Sequence, residues 1–302
     1  MLIGIVTPAF NVAAYIGDTI RSVLAQTFRD WTMVVVDDGS ADATADVVRG
    51  FGDPRVRLIA QANAGVSAAR NRGVAALNCD AVLFLDGDDC LASFALEALA
   101  QALDASPGAV AAVGAYERGG RVYPAVSGDL LARLMVRNLF VNGGHVLIRR
   151  GAVRLFRDDL RYGEDWAFWV RLALPPALFV AAEGRRPVLH VRERSSGAYL
   201  RMATYPASYG PCLAAIHDNP ALAAVFTVGQ RRSLRRRADA EVQWTIGREL
   251  IRHRRYRDGL RWLWGSLMRA PTLRRVAVLA AVAILPPRCR GPLYPYDRAV
   301  RE

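Results

Sequence analysis

Three carboxylates fall within four positions at Asp86-Gly87-Asp88-Asp89, directly after the apolar run Ala81–Leu85. Acids crowded in this way repel one another unless a positive group sits among them. A divalent cation meets that need, because hard cations take carboxylate oxygens and substrate phosphates together. The same residues also suit a solvated, idle turn, since Asp and Gly are ordinary turn residues. Two further acidic pairs stand out, Asp37-Asp38 and Glu164-Asp165. Asp165 opens the apolar stretch Trp166–Leu174, whose helical dipole favours an ionised carboxylate; simple helix capping accounts for the pair equally well.

A regular alternation carries these residues. Apolar, β-branched runs at Leu2–Thr7, Trp31–Val36, Val56–Ile59 and Ala81–Leu85 are separated by stretches of helical period, first Ile16, Ile20, Val23 and Leu24, then Thr44, Val47 and Val48, then 68–73. Pro8 is expected to end the first strand, Ser40 or Asp42 to cap the second helix, and the Ala81–Leu85 strand to be parallel and covered on both faces. The order predicts an α/β fold with a mostly parallel sheet flanked by helices. Ligands bind such sheets outside the carboxyl ends of the strands, where Asp37-Asp38 and Asp86–Asp89 fall. Neither GxGxxG nor a P-loop pattern occurs, which leaves metal and arginine to handle phosphate. Further on, Val188–Val191 is predicted as an edge strand.

The charge divides the chain. All 40 basic residues are arginine, and the formal net charge is +12. Residues 1–229 are balanced, with 22 arginines and 22 acids, whereas residues 230–302 carry 18 arginines against 6 acids, the whole of the excess. In that tail Leu234, Ala238, Val242, Trp244, Ile246, Leu250 and Ile251 ride among arginines, and Val276–Leu285 is an apolar decamer too short to span a bilayer but long enough to lie in its interface. An anionic membrane surface is the expected partner, ahead of a solvated helical appendage and well ahead of nucleic acid. No run of 18 apolar residues and no signal-peptide pattern occurs, and Cys79, Cys90, Cys212 and Cys289 lack metal-ligand spacing. Both features fit the cytoplasm, at the inner face of the membrane.

Taken together, the motifs resemble the inverting family 2 glycosyltransferases of GT-A (Rossmann-like) fold over roughly residues 1–200. Ile5–Asn11 matches the opening strand, Ser22–Thr27 the SVLxQT helix, Val36–Asp42 VDDGSxD, and Gln61–Gly73 QxNxGxxxARNxG. Asp86-Gly87-Asp88 carries DxD, and Gly163-Glu164-Asp165 the ED motif. The resemblance implies that Pro8, Phe10 and Asp38 line the nucleotide base pocket with Asp37 in support, and that Arg70 approaches the donor near its diphosphate. It further implies that Asp86 and Asp88 hold ribose and metal, with Asp89 extending the cluster, and that Asp165 is the catalytic base, with Glu164 and Trp166 on the acceptor side. Ala9 and Phe10 stand where the family often has Thr and Tyr, removing two hydroxyls from the base pocket. His190 and Arg194 are the nearest counterparts of a family histidine, and His190 is expected to be structural.

The expected protein is a glycosyltransferase dependent on Mg2+ or Mn2+, using a nucleotide-diphospho-sugar, a UDP-sugar favoured, and a glycan or lipid-linked acceptor. Residues 1–115 would bind the donor, 116–229 the acceptor and base, and 230–302 form a basic helical appendage. A nucleotidyltransferase-like enzyme and a non-catalytic, membrane-recruited binding module are the alternatives.

Overall fold

The structure is a computed structural model and describes residues 1–141, 143–184, 186–193 and 209–284. The chain forms two compact units, the first comprising residues 1–131, 140–159 and 164–193. It begins β1 (Ile3–Ala9), α1 (Ala13–Leu24), β2 (Trp31–Asp37), α2 (Thr44–Arg49), β3 (Val56–Ala60), α3 (Val66–Ala75) and β4 (Ala81–Phe84). There follow β5 (Cys90–Leu91), α4 (Ala95–Asp104), β6 (Ala109–Val113), β7 (Tyr116–Arg118), β8 (Arg121–Tyr123), β9 (Gly128–Asp129), the short α5 (Leu131–Leu134), β10 (Val146–Arg149), α6 (Glu164–Leu172), β11 (Leu178–Ala181) and β12 (Leu189–Val191). Eight strands make one sheet in the order β3-β2-β1-β4-β10-β6-β11-β9, and four make a smaller one, β5-β12-β7-β8.

The predicted β/α alternation holds, with informative departures. β1 runs through Pro8 to Ala9. Ala9 O accepts from Asp38 N on the β2 side, so Pro8 faces the opposite side, where pairing with β4 ended at Val6 and Phe84. Its missing N–H therefore costs no ladder bond. β4 is buried throughout, but it is parallel only to β1 and antiparallel to β10. β12 is not an edge; it lies between β5 and β7. Ser40 does not cap α2, whereas Asp42 Oδ1 accepts from Thr44 N, the first residue of that helix, at 3.0 Å. Ser40 Oγ accepts from Asn11 N and Asp42 Oδ2 from Ala13 N, so they tie the start of α1 to the loop after β2. Helix α3 sits close on β1: a Cβ at Gly73 would lie 2.4 Å from Val6 Cγ1. That close seat fixes Arg70, one turn earlier.

His145 is fully buried against Tyr116 and Phe140, with ring centroids 4.8 and 5.7 Å away, and burial pushes its pKa down to about 3. The unfolded chain takes up this proton near pH 6.5, so stability is lost as pH falls from there towards 3, with a slope of up to about 1.4 kcal/mol per pH unit. Urea denaturation should show that slope, and His145→Phe should flatten it; an unchanged pH profile in the variant would exclude His145 as its source.

The second unit comprises residues 132–139, 160–163 and 194–302. Its longer described helices are α7 (Gly210–His217), α8 (Val228–Arg252), α9 (Tyr256–Arg269) and α10 (Leu273–Ile284). α8 starts at a capping box in which Thr227 and Gln230 satisfy each other's backbone N–H. The α8 stripe from Leu234 to Ile251 that suggested a lipid-facing side is buried, and Trp244 and Ile251 join Leu263 and Val282 in a small core. Protein covers that face. No helix among the described residues is long and apolar enough to cross a membrane. Cys79, Cys90 and Cys212 are free thiols, while Leu285 and Cys289 lie outside the described residues.

Candidate functional site

Arg70 joins the acidic segments. It is 6% exposed, and its Nη2 donates to Asp86 Oδ1 at 2.9 Å while Nη1 donates to Glu164 Oε1 at 3.4 Å. Burial alone would lower its pKa, but Asp86, Glu164 and Asp165 outweigh that and hold the guanidinium charged. The group lies over the Phe156 ring, 5.1 Å from its centroid. Asn71 fixes that ring by exchanging two hydrogen bonds with the Phe156 backbone, at 2.7 and 2.9 Å, and Phe168 stacks on its far side at 4.1 Å. The RN pair of α3 thus ties the end of β4 to the start of α6. A buried arginine needs such paired partners to be tolerated.

Asp165 lies in the first turn of α6, half-buried, with Oδ1 accepting from Trp166 N at 2.7 Å. Trp166 is buried. Asp86 and Asp165 thus share one buried cation although 79 positions separate them in the sequence.

At the ends of β1 and β2, Asp37 and Asp38 are both buried. Asp37 Oδ1 accepts from Ser40 N at 3.0 Å. Asp38 accepts from Gln61 Nε2, Ala64 N and Gly65 N, each at 2.8 Å, which fills three of roughly four carboxylate acceptor sites. Between them and that loop Gly39 has φ +76°, and a Cβ there would meet Asn63 N at 2.9 Å. Phe10 is 48% exposed and Pro8 half-buried beside these acids. The cluster can offer an aromatic wall, one remaining lone pair of Asp38 and the carboxylate of Asp37.

Asp89 is 2% exposed and accepts from Arg192 N at 2.9 Å, a bond that tethers the Asp86–Asp89 loop. Among the described residues no group of three His, Cys, Asp or Glu side chains is arranged to hold a metal ion. Asp86 and Asp88 are half-exposed. That set fits Mg2+ or Mn2+ of the kind bound by one or two carboxylates with substrate phosphates completing the shell. His190, on β12, lies 3.4 Å from Glu117 and belongs to no such group. Arg194 lies outside the described residues.

Arg192 is the residue the sequence hid. Its Nε donates to Asp88 O at 3.1 Å, its Nη2 to Asp18 at 2.9 Å, and it lies over the Tyr15 ring at 5.0 Å. It pins the Asp86–Asp89 loop to α1 from a stretch with no periodic signal, although its place directly after the Val188–Val191 run was a clue.

Comparison with known proteins bears on the family and the fold. The profile for Glycosyl transferase family 2 matches residues 4–162. A Bacillus subtilis protein named as a teichuronic acid biosynthesis glycosyltransferase, TuaG, is 37% identical over 91 residues, 29% of this chain and 36% of TuaG. The match thus spans about a third of that relative's length. Among solved structures, residues 1–349 of S. aureus TarS, in complex with UDP-GlcNAc, superpose with TM-score 0.57 at 16% identity, covering 94% of this chain and 91% of that one. The mannosyltransferase PcManGT from Pyrobaculum calidifontis, in complex with GDP-Man and Mn2+, gives TM-score 0.58 at 18% identity, covering 93% and 79%. At these identities the likeness establishes the fold, a mixed α/β sheet of GT-A type.

Proposed function

The chain belongs to glycosyl transferase family 2, and we propose that it transfers a sugar, with inversion, from a nucleotide-diphospho-sugar to a glycan or lipid-linked acceptor in cell-surface polysaccharide synthesis. The observation that carries this reading is Arg70, whose guanidinium is shared by Asp86 on one side and Glu164 with Asp165 on the other. Donor and acceptor chemistry need such a common anchor, because a displacement requires nucleophile and leaving group held in line.

Phe10 and Pro8 form the wall against the base, and Asp37 and Asp38 its polar end. A UDP-sugar is favoured, as in the TarS complex, although PcManGT takes GDP-Man. Asp86 faces the ribose, and Asp86 with Asp88 holds Mg2+ or Mn2+. When bound, that cation offsets charge on the departing diphosphate. Asp165 accepts the proton of the acceptor hydroxyl, which attacks the anomeric carbon opposite the nucleotide. Glu164 and Trp166 support it from the same turn. Arg70 holds the carboxylates in place on the donor side, near the diphosphate.

A ligand that binds only the folded state raises its stability by mass action, by about 2.7 kcal/mol at 100 times its Kd. Thermal melts should therefore rise with a nucleotide sugar plus Mn2+ or Mg2+, and rise less with either alone. Melts unaffected by every nucleotide sugar would reject the donor site.

The helical unit is proposed to rest on the inner face of the cell membrane. Its arginines are joined by exposed apolar side chains on α9 and α10, namely Trp264, Met268, Leu273 and Val276. Aromatic and aliphatic side chains among arginines suit an anionic interface. Leu273, 90% exposed, has little to lose from substitution in the folded state. Leu273→Asp should lower the fraction of protein that floats with anionic vesicles; equal flotation would remove α10 from the interface.

A further inference from the structure

The helical unit holds a cavity of about 420 Å3 lined by Tyr209 and Leu213 from the α7 side and by Arg232, Arg235, Arg236 and Asp239 from α8. That volume lies within the ~300–1,000 Å3 typical of small-molecule sites. Its charges are unevenly matched. Arg235 pairs with Asp218, and Asp239 pairs with Arg269 while accepting from Tyr209 Oη at 3.2 Å. Arg232 and Arg236 form no ion pair among the described residues, although both line the cavity. They stand one helical turn apart, on the same face of α8.

Two arginines spaced in this way suit the oxygens of one phosphate group, which a guanidinium grips with paired N–H donors. The other wall is less polar: Leu213 is buried, and the Tyr209 ring is held edge-on to Trp262 at 6.2 Å. The start of α7, which no side chain caps, opens on the same space and adds positive potential.

We propose that this cavity binds a phosphate ester, its phosphate between Arg232 and Arg236 and its carbon skeleton against Tyr209 and Leu213. Such a group occurs both on lipid headgroups and on soluble esters. The inference rests on the helical unit alone and stands or falls independently of the transferase reading.

The test uses the full chain in EDTA, which keeps divalent cations away from Asp86 and Asp88. Glycerol phosphate is titrated by phosphorus NMR, and phosphatidylglycerol vesicles are used in parallel flotation. Arg232→Ala and Arg236→Ala should each weaken binding about tenfold or more. Arg237→Ala removes the same charge one position away, outside the cavity, and should leave binding unchanged. All three side chains are exposed, so the variants are expected to fold, which circular dichroism checks. Dependence on Arg232 and Arg236 for both probes assigns the site to the ester itself; the same dependence for vesicles alone assigns it to a lipid headgroup. Equal losses in all three variants, or no binding of either probe, would overturn the proposal.

Discussion

Asp165→Asn is expected to lower the rate of sugar transfer by about 10²–10⁴-fold, the usual contribution of a positioned general base. The substitution is close to isosteric. The amide oxygen can still accept from Trp166 N, as Oδ1 does now at 2.7 Å, so the first turn of α6 is kept. Arg70 loses one of three nearby carboxylates and retains Asp86 and Glu164. The effect should therefore appear in kcat, with donor affinity unchanged, the pattern of an interaction made only in the transition state. Initial rates and calorimetric titration of the donor measure both quantities. A fall in donor affinity with kcat intact would instead make Asp165 a donor ligand.

Arg70→Ala should destabilise the first unit by about 3 kcal/mol, near the lower end for breaking a buried ion pair by removing one partner. The lower end applies because the Asp86 side chain is 31% exposed and water can partly replace the lost cation. Glu164, at 16%, has less access to water. Arg70→Lys should restore little, since a single ammonium cannot serve two carboxylates and also lie flat on Phe156. Urea denaturation of the two variants decides the matter; wild-type stability in either would mean that Arg70 is not the anchor described.

Much of this was legible in the sequence, because the first half of the sheet is built from local signals. The runs that became β1 to β4 and the stripe of α1 declared their period, while α3 showed itself only as a stretch of small and polar residues. The acids at the strand ends followed from where such sheets bind ligands. The antiparallel partner of β4 was not legible, since β10 comes from residues 146–149 and its neighbour is chosen by long-range packing. The partners of Arg70 were hidden for the same reason: Glu164 lies 94 positions away. The stripe on α8 looked lipid-facing because composition cannot tell a membrane from α9, which packs on it.

One experiment reaches the central claim, that Asp86 and Asp88 serve the donor and Asp165 serves the acceptor within one site. Binding of nucleotide diphosphate with Mn2+ is titrated against wild type, Asp88→Asn and Asp165→Asn, and transfer is assayed on the same preparations. The account predicts that Asp88→Asn loses metal-dependent donor binding, while Asp165→Asn binds donor as wild type does and fails to transfer. Wild-type turnover by Asp165→Asn would contradict it.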